Sequence, residues 1–368
     1  MMIKDDITTL NKMMGDLQKA EYWYKPTNYW KIYQEHLMPV INEDGVSRFR
    51  GSESKVFSSF GVSQPPHTLV GSFLGVQDIR GSIIGHLMLS FLRKSRLYKL
   101  VIKQHRKTYA AFQKACFLLA AGDDSKQELL TISDSGLAAP LDQFQPLSSH
   151  DNQYTLSFLR YYYQYRWIKK RVDFSKIDTI LELGTGYGGQ IEVIRKLYPN
   201  IKFLVCDIPP QLYVAEQYLK SVFPGEVTGY LETSTMERID LTKMKPITII
   251  GTWQLPKVES SIDLFMNSAS FQEMEPDIVE NYLNIIKPLT KRYIYLMQLS
   301  EGHKVASKPG EVGVLKQTTL EDYKRFLQDK FKLGAIEEAI GFASGREGTQ
   351  FLHIHNNSFH MLFNQQSE

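Results

Sequence analysis

The run TILELGTGYGG, residues 179–189, constrains this chain more than any other stretch. An apolar segment of strand length enters a turn made of Gly184, Gly186 and Gly188, and a helical pattern follows. Glycines in such a turn let backbone approach a ligand where a Cβ would collide. The same grammar continues downstream. Residues 190–197 read as a helix, ended by Tyr198-Pro199-Asn200. Residues 201–206 read as a strand ending at Asp207, and 211–223 as a helix stopped by Pro224-Gly225. Strands are expected at 247–251, 262–266 and 293–297, with a helix at 277–287. Strands alternating with helices predict an α/β fold whose parallel sheet is covered on both faces. Residues 321–331 read as a further helix. Residues 351–355 and 359–363 read as late strands, an antiparallel pair at the sheet edge.

Upstream the grammar differs. Residues 1–150 read as mainly helical and irregular, broken by Gly61, Pro65, Pro66, Gly71, Gly75, Gly81 and Gly85. Residues 123–150 are polar and turn-rich. Residues 151–171 become periodic again, with an aromatic-rich run at 158–167. The expected division is therefore a helical N-terminal region, 1–150, and a ligand-binding α/β domain, 151–368.

Charge excludes little. Lys and Arg number 43 against 40 Asp and Glu, a net of +3, which does not suit a nucleic-acid binder. From Ile79 to Gly122 no acidic residue occurs, while Arg80, Arg93, Lys94, Arg96, Lys99, Lys103, Arg106, Lys107 and Lys114 do. Apolar positions at 83, 84, 87, 88, 91 and 92 make a solvated helix face the ordinary explanation. Contact with a phosphorylated or lipid-linked ligand is the other. Cys116 and Cys206 form neither a metal pattern nor a disulfide framework. The N-terminus has no apolar leader core, and the strongest apolar stretch, 82–92, is too short to span a bilayer. The expectation is a cytoplasmic protein without a transmembrane segment.

The ligand class comes from the acids around the glycine loop. Glu182 lies inside the strand, two residues before Gly184. A carboxylate there suits a cationic aminoacyl group better than a pyrophosphate. Asp207, at the end of the next strand, can accept hydrogen bonds from both hydroxyls of a ribose. Together they point to S-adenosylmethionine. Gly184-x-Gly186-x-x-Gly189 also satisfies a dinucleotide fingerprint, which leaves an NAD(P)-dependent oxidoreductase as the alternative. Its usual Tyr-x-x-x-Lys donor spacing occurs at Tyr165 and Lys169, but these lie ahead of the loop. A non-catalytic module that kept a nucleotide fold is a third reading.

TILELGTGYGG followed by FLVCDIPPQLYVAEQYL resembles the sugar O-methyltransferase family of class I methyltransferases. Asp207-Ile208-Pro209 matches that family's second-strand ending. Asp263–Asn267 with Ser270-Phe-Gln-Glu-Met274 matches its fourth-strand motif. The likeness covers about residues 150–300 and departs at Thr185, where a smaller residue is more usual. It implies a Rossmann-like, mostly parallel sheet with an antiparallel edge strand, and O-methyl transfer to a sugar hydroxyl. A surface polysaccharide or a glycosylated metabolite would be the product. The acceptor is then a small molecule or glycan, whether free, phosphorylated, nucleotide-linked or lipid-linked. Residues 1–150 would form a cap serving substrate choice or homodimer contacts.

A sugar hydroxyl is a poor nucleophile, so a base within hydrogen-bond reach is expected on the loops after the fourth and fifth strands. Glu273 and His303 occupy those loops. Glu273 could instead cap the next helix, and His303 could be an idle loop histidine. The cofactor residues expected are Glu182, Gly184, Thr185, Gly186, Tyr187, Gly188, Asp207 and Ile208, with Asn267 and Ser268 at the methionine end. Trp253 either stacks on adenine or lies in the core, and Tyr187 either meets the carboxylate or packs. His353 and His355 have metal-compatible spacing without a further ligand, so no metal is expected.

Overall fold

The central strands are largely apolar because both faces of the sheet are covered. The computed structural model describes residues 3–52, 57, 60, 62, 96–308, 310–340 and 354–366. Among the described residues eight strands form one sheet: β1 (Thr179–Leu183), β2 (Lys202–Asp207), β3 (Val227–Thr228), β4 (Ile247–Gly251), β5 (Ile262–Ser268), β6 (Thr290–Leu299), β7 (Phe331–Ile340) and β8 (Ile354–Gln365). Their spatial order is β3-β4-β2-β1-β5-β6-β8-β7. The pairings from β3 to β6 are parallel, and β8 runs antiparallel to both β6 and β7. This is the class I methyltransferase fold. Its antiparallel member lies one strand in from the edge, because β7 and β8 pair as a hairpin and β8 takes the inner place.

Among the described residues the longer helices are α1 (Ile7–Lys19), α2 (Asn28–Asp44), α3 (Arg96–Ala121), α4 (Leu156–Lys169), α5 (Gly189–Leu197), α6 (Gln211–Val222), α7 (Pro276–Leu289) and α8 (Leu320–Leu327). Alternate strand residues separate into two apolar layers. Ile180, Val205, Ile249 and Leu264 face one layer, together with side chains of α4, α5 and α6. Leu181, Leu204, Ile250 and Phe265 face the other, under α7 and α8. Leu10, Leu37, Phe49 and Phe117 belong to the first layer as well. The boundary expected near residue 150 thus does not interrupt the core.

One element departs from expectation. The helix read at 321–331 stops at Leu327, and Phe331–Ile340 is a strand. Its partner is the single strand β8, where two short ones were expected. As an edge strand β7 exposes Lys332, Glu337 and Glu338, which blurs its apolar alternation. Arg80, Arg93, Lys94, the apolar stripe at 83–92 and His353 lie outside the described residues. Lys107 and Lys114 are exposed on α3. No described helix is long and apolar enough to cross a membrane.

Candidate active site

The site forms where parallel strands end. Leu183 sits opposite Cys206, and Glu182 opposite Met266, so the ends of β1, β2 and β5 lie side by side. The glycine loop leaves β1 there with Gly184 at φ 77°. A Cβ on Gly184 would stand 2.3 Å from the Ser270 hydroxyl oxygen, so only glycine lets the loop after β5 close against it. Asp207, ending β2, reaches back across the turn. One carboxylate oxygen accepts the Gly186 N–H at 3.3 Å, and the other accepts the Ile208 N–H at 2.8 Å.

A cavity of about 360 Å³ opens at this edge. That is within the range of small-molecule sites. Glu182, Asp207 and Glu273 all line it. Burial pushes the Asp207 carboxyl up to about 7, against the pull of its backbone N–H partners. Burial pushes Glu182 up to about 8, opposed by the Thr185 hydroxyl that donates to it at 2.9 Å. Burial also holds Glu273 well above the carboxylate range, with the Tyr29 hydroxyl and Asp207 as its neighbours. Three carboxyls face one space, and burial disfavours the charged form of each. Gln211, 2% exposed on the same wall, has both amide atoms buried with no partner among the described residues, and Gln164 has its carbonyl oxygen in that state. Buried polar groups are rarely left so. A ligand with hydroxyls and positive charge would satisfy this set.

Residues 163–245 match the O-methyltransferase domain. The match covers less than a quarter of the chain and includes the glycine loop, Glu182 and Asp207. The donor set fits S-adenosylmethionine: carboxylates for its cationic groups, Asp207 for its ribose hydroxyls, glycine backbone for close approach. No curated protein matches the chain. Solved structures similar to it include the pyocyanin biosynthetic protein PhzM, 15% identical with a TM-score of 0.36. That likeness covers 55% of this chain and 54% of that one, so the chain spans about half of that relative's length. Magnesium protoporphyrin IX methyltransferase from Synechocystis PCC 6803, with bound SAM, is 13% identical over 55% of this chain and 76% of its own, with a TM-score of 0.34. The mitomycin 7-O-methyltransferase MmcR is 11% identical over 68% and 60%, with a TM-score of 0.38. Overlays this loose say nothing about the acceptor.

Eight of the residues expected from the sequence line the cavity: Glu182, Gly184, Thr185, Gly186, Asp207, Ile208, Ser268 and Glu273. Five do not. Tyr187 packs in the core, its ring 5.0 Å from that of Tyr218 and 5.6 Å from Phe49. Gly188, at φ 88°, starts α5 against Leu219. Trp253 folds back over Gly251 and meets the Tyr230 ring at 6.0 Å, so Thr252 faces the cavity in its place. Asn267 spends its amide on structure: it donates to the Leu183 carbonyl at 2.8 Å and accepts from Gln298 at 2.6 Å. His303 stands behind Tyr29, with a ring separation of 4.7 Å, and burial lowers its pKa. Sequence reasoning missed Tyr29, Trp30 and Tyr33 of α2, Arg160 and Gln164 of α4, and Gln211, all of which line the cavity. The dense aromatics at 29, 30 and 33 were the available signal. Among the described residues no group of three or more His, Cys, Asp or Glu is placed to hold a metal.

Proposed function

We propose that this chain transfers a methyl group from S-adenosylmethionine to a hydroxyl of a sugar acceptor. The convergence of Glu182, Asp207 and Glu273 on one cavity beside a glycine loop carries the reading. When bound, the cofactor supplies an electrophilic methyl on a sulfonium centre. Glu182 holds the ammonium end, Asp207 the ribose hydroxyls, and the backbone at Gly184–Gly186 lies against the chain between them. Glu273 takes the proton of the acceptor hydroxyl as its oxygen–carbon bond forms and the sulfur–carbon bond breaks. S-adenosylhomocysteine and the methyl ether are the products. Burial makes Glu273 a stronger base than a free carboxylate, which suits a hydroxyl that gives up its proton reluctantly.

The sugar rests on the family resemblance of the Asp207-Ile208-Pro209 and Ser270–Met274 elements. The helical N-terminal region acts as a cap over the acceptor, supported by the α2 residues in the cavity wall. Calorimetry with S-adenosylmethionine, S-adenosylhomocysteine, NAD and NADP tests the cofactor. Binding of the sulfur compounds alone is the expected result, and selective NAD or NADP binding would replace this reading with an oxidoreductase. Labelled methyl transfer to free, phosphorylated and nucleotide-linked sugars, with phenols alongside, tests the acceptor. Transfer to phenols only would remove the sugar.

A further inference from the structure

We propose that the start of α2 is the acceptor subsite, and that Trp30 and Tyr33 form the aromatic surface on which the sugar ring lies while its hydroxyl is methylated. This rests on the methyltransferase reading given above and adds to it the residues that recognise the acceptor.

The placement follows from what each part of the cavity wall offers. The ends of β1 and β2 bring Glu182, the glycine loop and Asp207, the groups the cofactor takes. α2 brings rings: Tyr29, Trp30 and Tyr33 all line the same cavity. Spacings of three and four residues put them on one side of the helix. An acceptor has to meet the cofactor's methyl group beside Glu273, and the start of α2 is fastened there. The Thr27 hydroxyl donates to the Glu273 carbonyl at 3.0 Å. The Asn28 amide donates to the carbonyls of Glu311 at 3.0 Å and Gly313 at 2.8 Å, in the loop after β6.

The three rings do different work. Tyr29 is the backing, 6% exposed, with its ring 4.7 Å from that of His303 and 4.8 Å from that of Tyr33. Tyr33 lies nearly parallel to it, at 29°, and is only half-buried in the cavity wall. Trp30 stands edge-on to Tyr29 at 5.4 Å, and its ring is 5.8 Å from Tyr33. It also packs with Ile208, the residue after Asp207, so it joins this surface to the cofactor's end of the cavity. Rings held by one another in this way lose little freedom when a ligand arrives. An aromatic face carries partial negative charge and attracts the polarised carbon–hydrogen groups on the apolar face of a sugar. The hydroxyl edge of the same sugar is then free to meet Glu273, which lines the cavity too. His303, which does not line the cavity, supports this surface from behind Tyr29.

The test uses the full chain saturated with S-adenosylhomocysteine. Hexoses, deoxyhexoses and hexosamines are the probes, each free, phosphorylated and as the uridine diphosphate conjugate, with catechol alongside. Saturation-transfer NMR with irradiation of the protein's aromatic resonances should mark the ring C–H protons of the sugars that bind. Tyr33→Leu should weaken those sugars by about tenfold, Tyr33→Phe should retain them, and both should keep the wild-type affinity for S-adenosylhomocysteine. Trp30→Leu should weaken the same sugars. Sugar affinity unchanged in both leucine variants overturns the proposal. So does a loss confined to S-adenosylhomocysteine, which would give the rings to the cofactor, and so does a wild type that binds catechol alone or no sugar at all. Should Tyr33→Leu fail to fold, wild-type protein carrying ring-deuterated tyrosine and tryptophan replaces it. Saturation transfer to the sugar should then vanish, and transfer that persists is equally fatal. Failure of the methyltransferase reading would appear separately, as wild-type protein that does not bind S-adenosylhomocysteine.

Discussion

Glu182 and Asp207 hold protons that free carboxyls would release, and this ties both stability and affinity to pH. Burial pushes their pKa values up to about 8 and about 7 in the folded protein, from ordinary values of 4.5 and 3.8. Between those limits the folded chain binds more protons than the unfolded one. Stability of the ligand-free protein therefore falls as pH rises from about 4 toward 8. Cofactor binding reverses the sign, because its cationic and hydroxyl groups favour the carboxylates. Affinity for S-adenosylhomocysteine should climb as pH passes from 6 to 8. Asp207→Asn should cost about ten- to a hundredfold in affinity, the worth of a hydrogen bond to a charged group, and should flatten the slope. Calorimetry at three pH values reads both. An affinity independent of pH in the wild type would show that neither acid changes charge on binding.

The elements around the glycine loop are tied together by one buried ion pair. Arg50, in the turn after α2, meets Asp134 through two bonds of 2.9 and 2.6 Å, with both side chains almost wholly buried. Thr155, which caps α4, accepts from Arg50 at 2.9 Å and donates to Asp134 at 2.7 Å. Tyr218 of α6 accepts from Arg50 at 3.3 Å and donates to Glu192 of α5. Removing one charge leaves the other buried and unpaired. Asp134→Ala should therefore cost about 3–5 kcal/mol, while Arg50→Met with Asp134→Leu should cost far less. Urea unfolding of both variants checks this, and equal losses would refute the ion-pair account. None of this was legible in the sequence, because its five members lie in five separate segments. The αβ alternation was legible because buried parallel strands are continuous apolar runs and end in glycine or Asp207. β7 was not, since KLGAIEEAI has a helix-like composition and its strand state comes from pairing with β8. At the site, Glu182 and Asp207 announced themselves by their place beside the loop. Tyr29 did not, because only the folded chain brings residue 29 to residue 273.

Whether residues 1–150 form a separable cap is decided by what they cover. Leu10, Leu37, Phe49 and Phe117 share one apolar layer with Tyr187, Tyr213 and Tyr218 of the α/β region. Polar links cross the same join: the Asp6 N–H donates to the Tyr213 hydroxyl at 2.8 Å, and the Tyr230 hydroxyl donates to Asp16 at 2.7 Å. Burial of one large apolar side chain contributes about 2 kcal/mol, so uncovering Tyr187, Tyr213 and Tyr218 forfeits about 6 kcal/mol. That is comparable with the whole stability of a typical domain, about 5–15 kcal/mol. A chain cut to residues 151–368 should therefore aggregate and lose S-adenosylhomocysteine binding, where a dispensable cap would leave a soluble cofactor-binding core without acceptor turnover. Size-exclusion chromatography with calorimetry separates the two. A monomeric 151–368 fragment with the full chain's affinity would show that the shared layer is an interface between units and not part of one core.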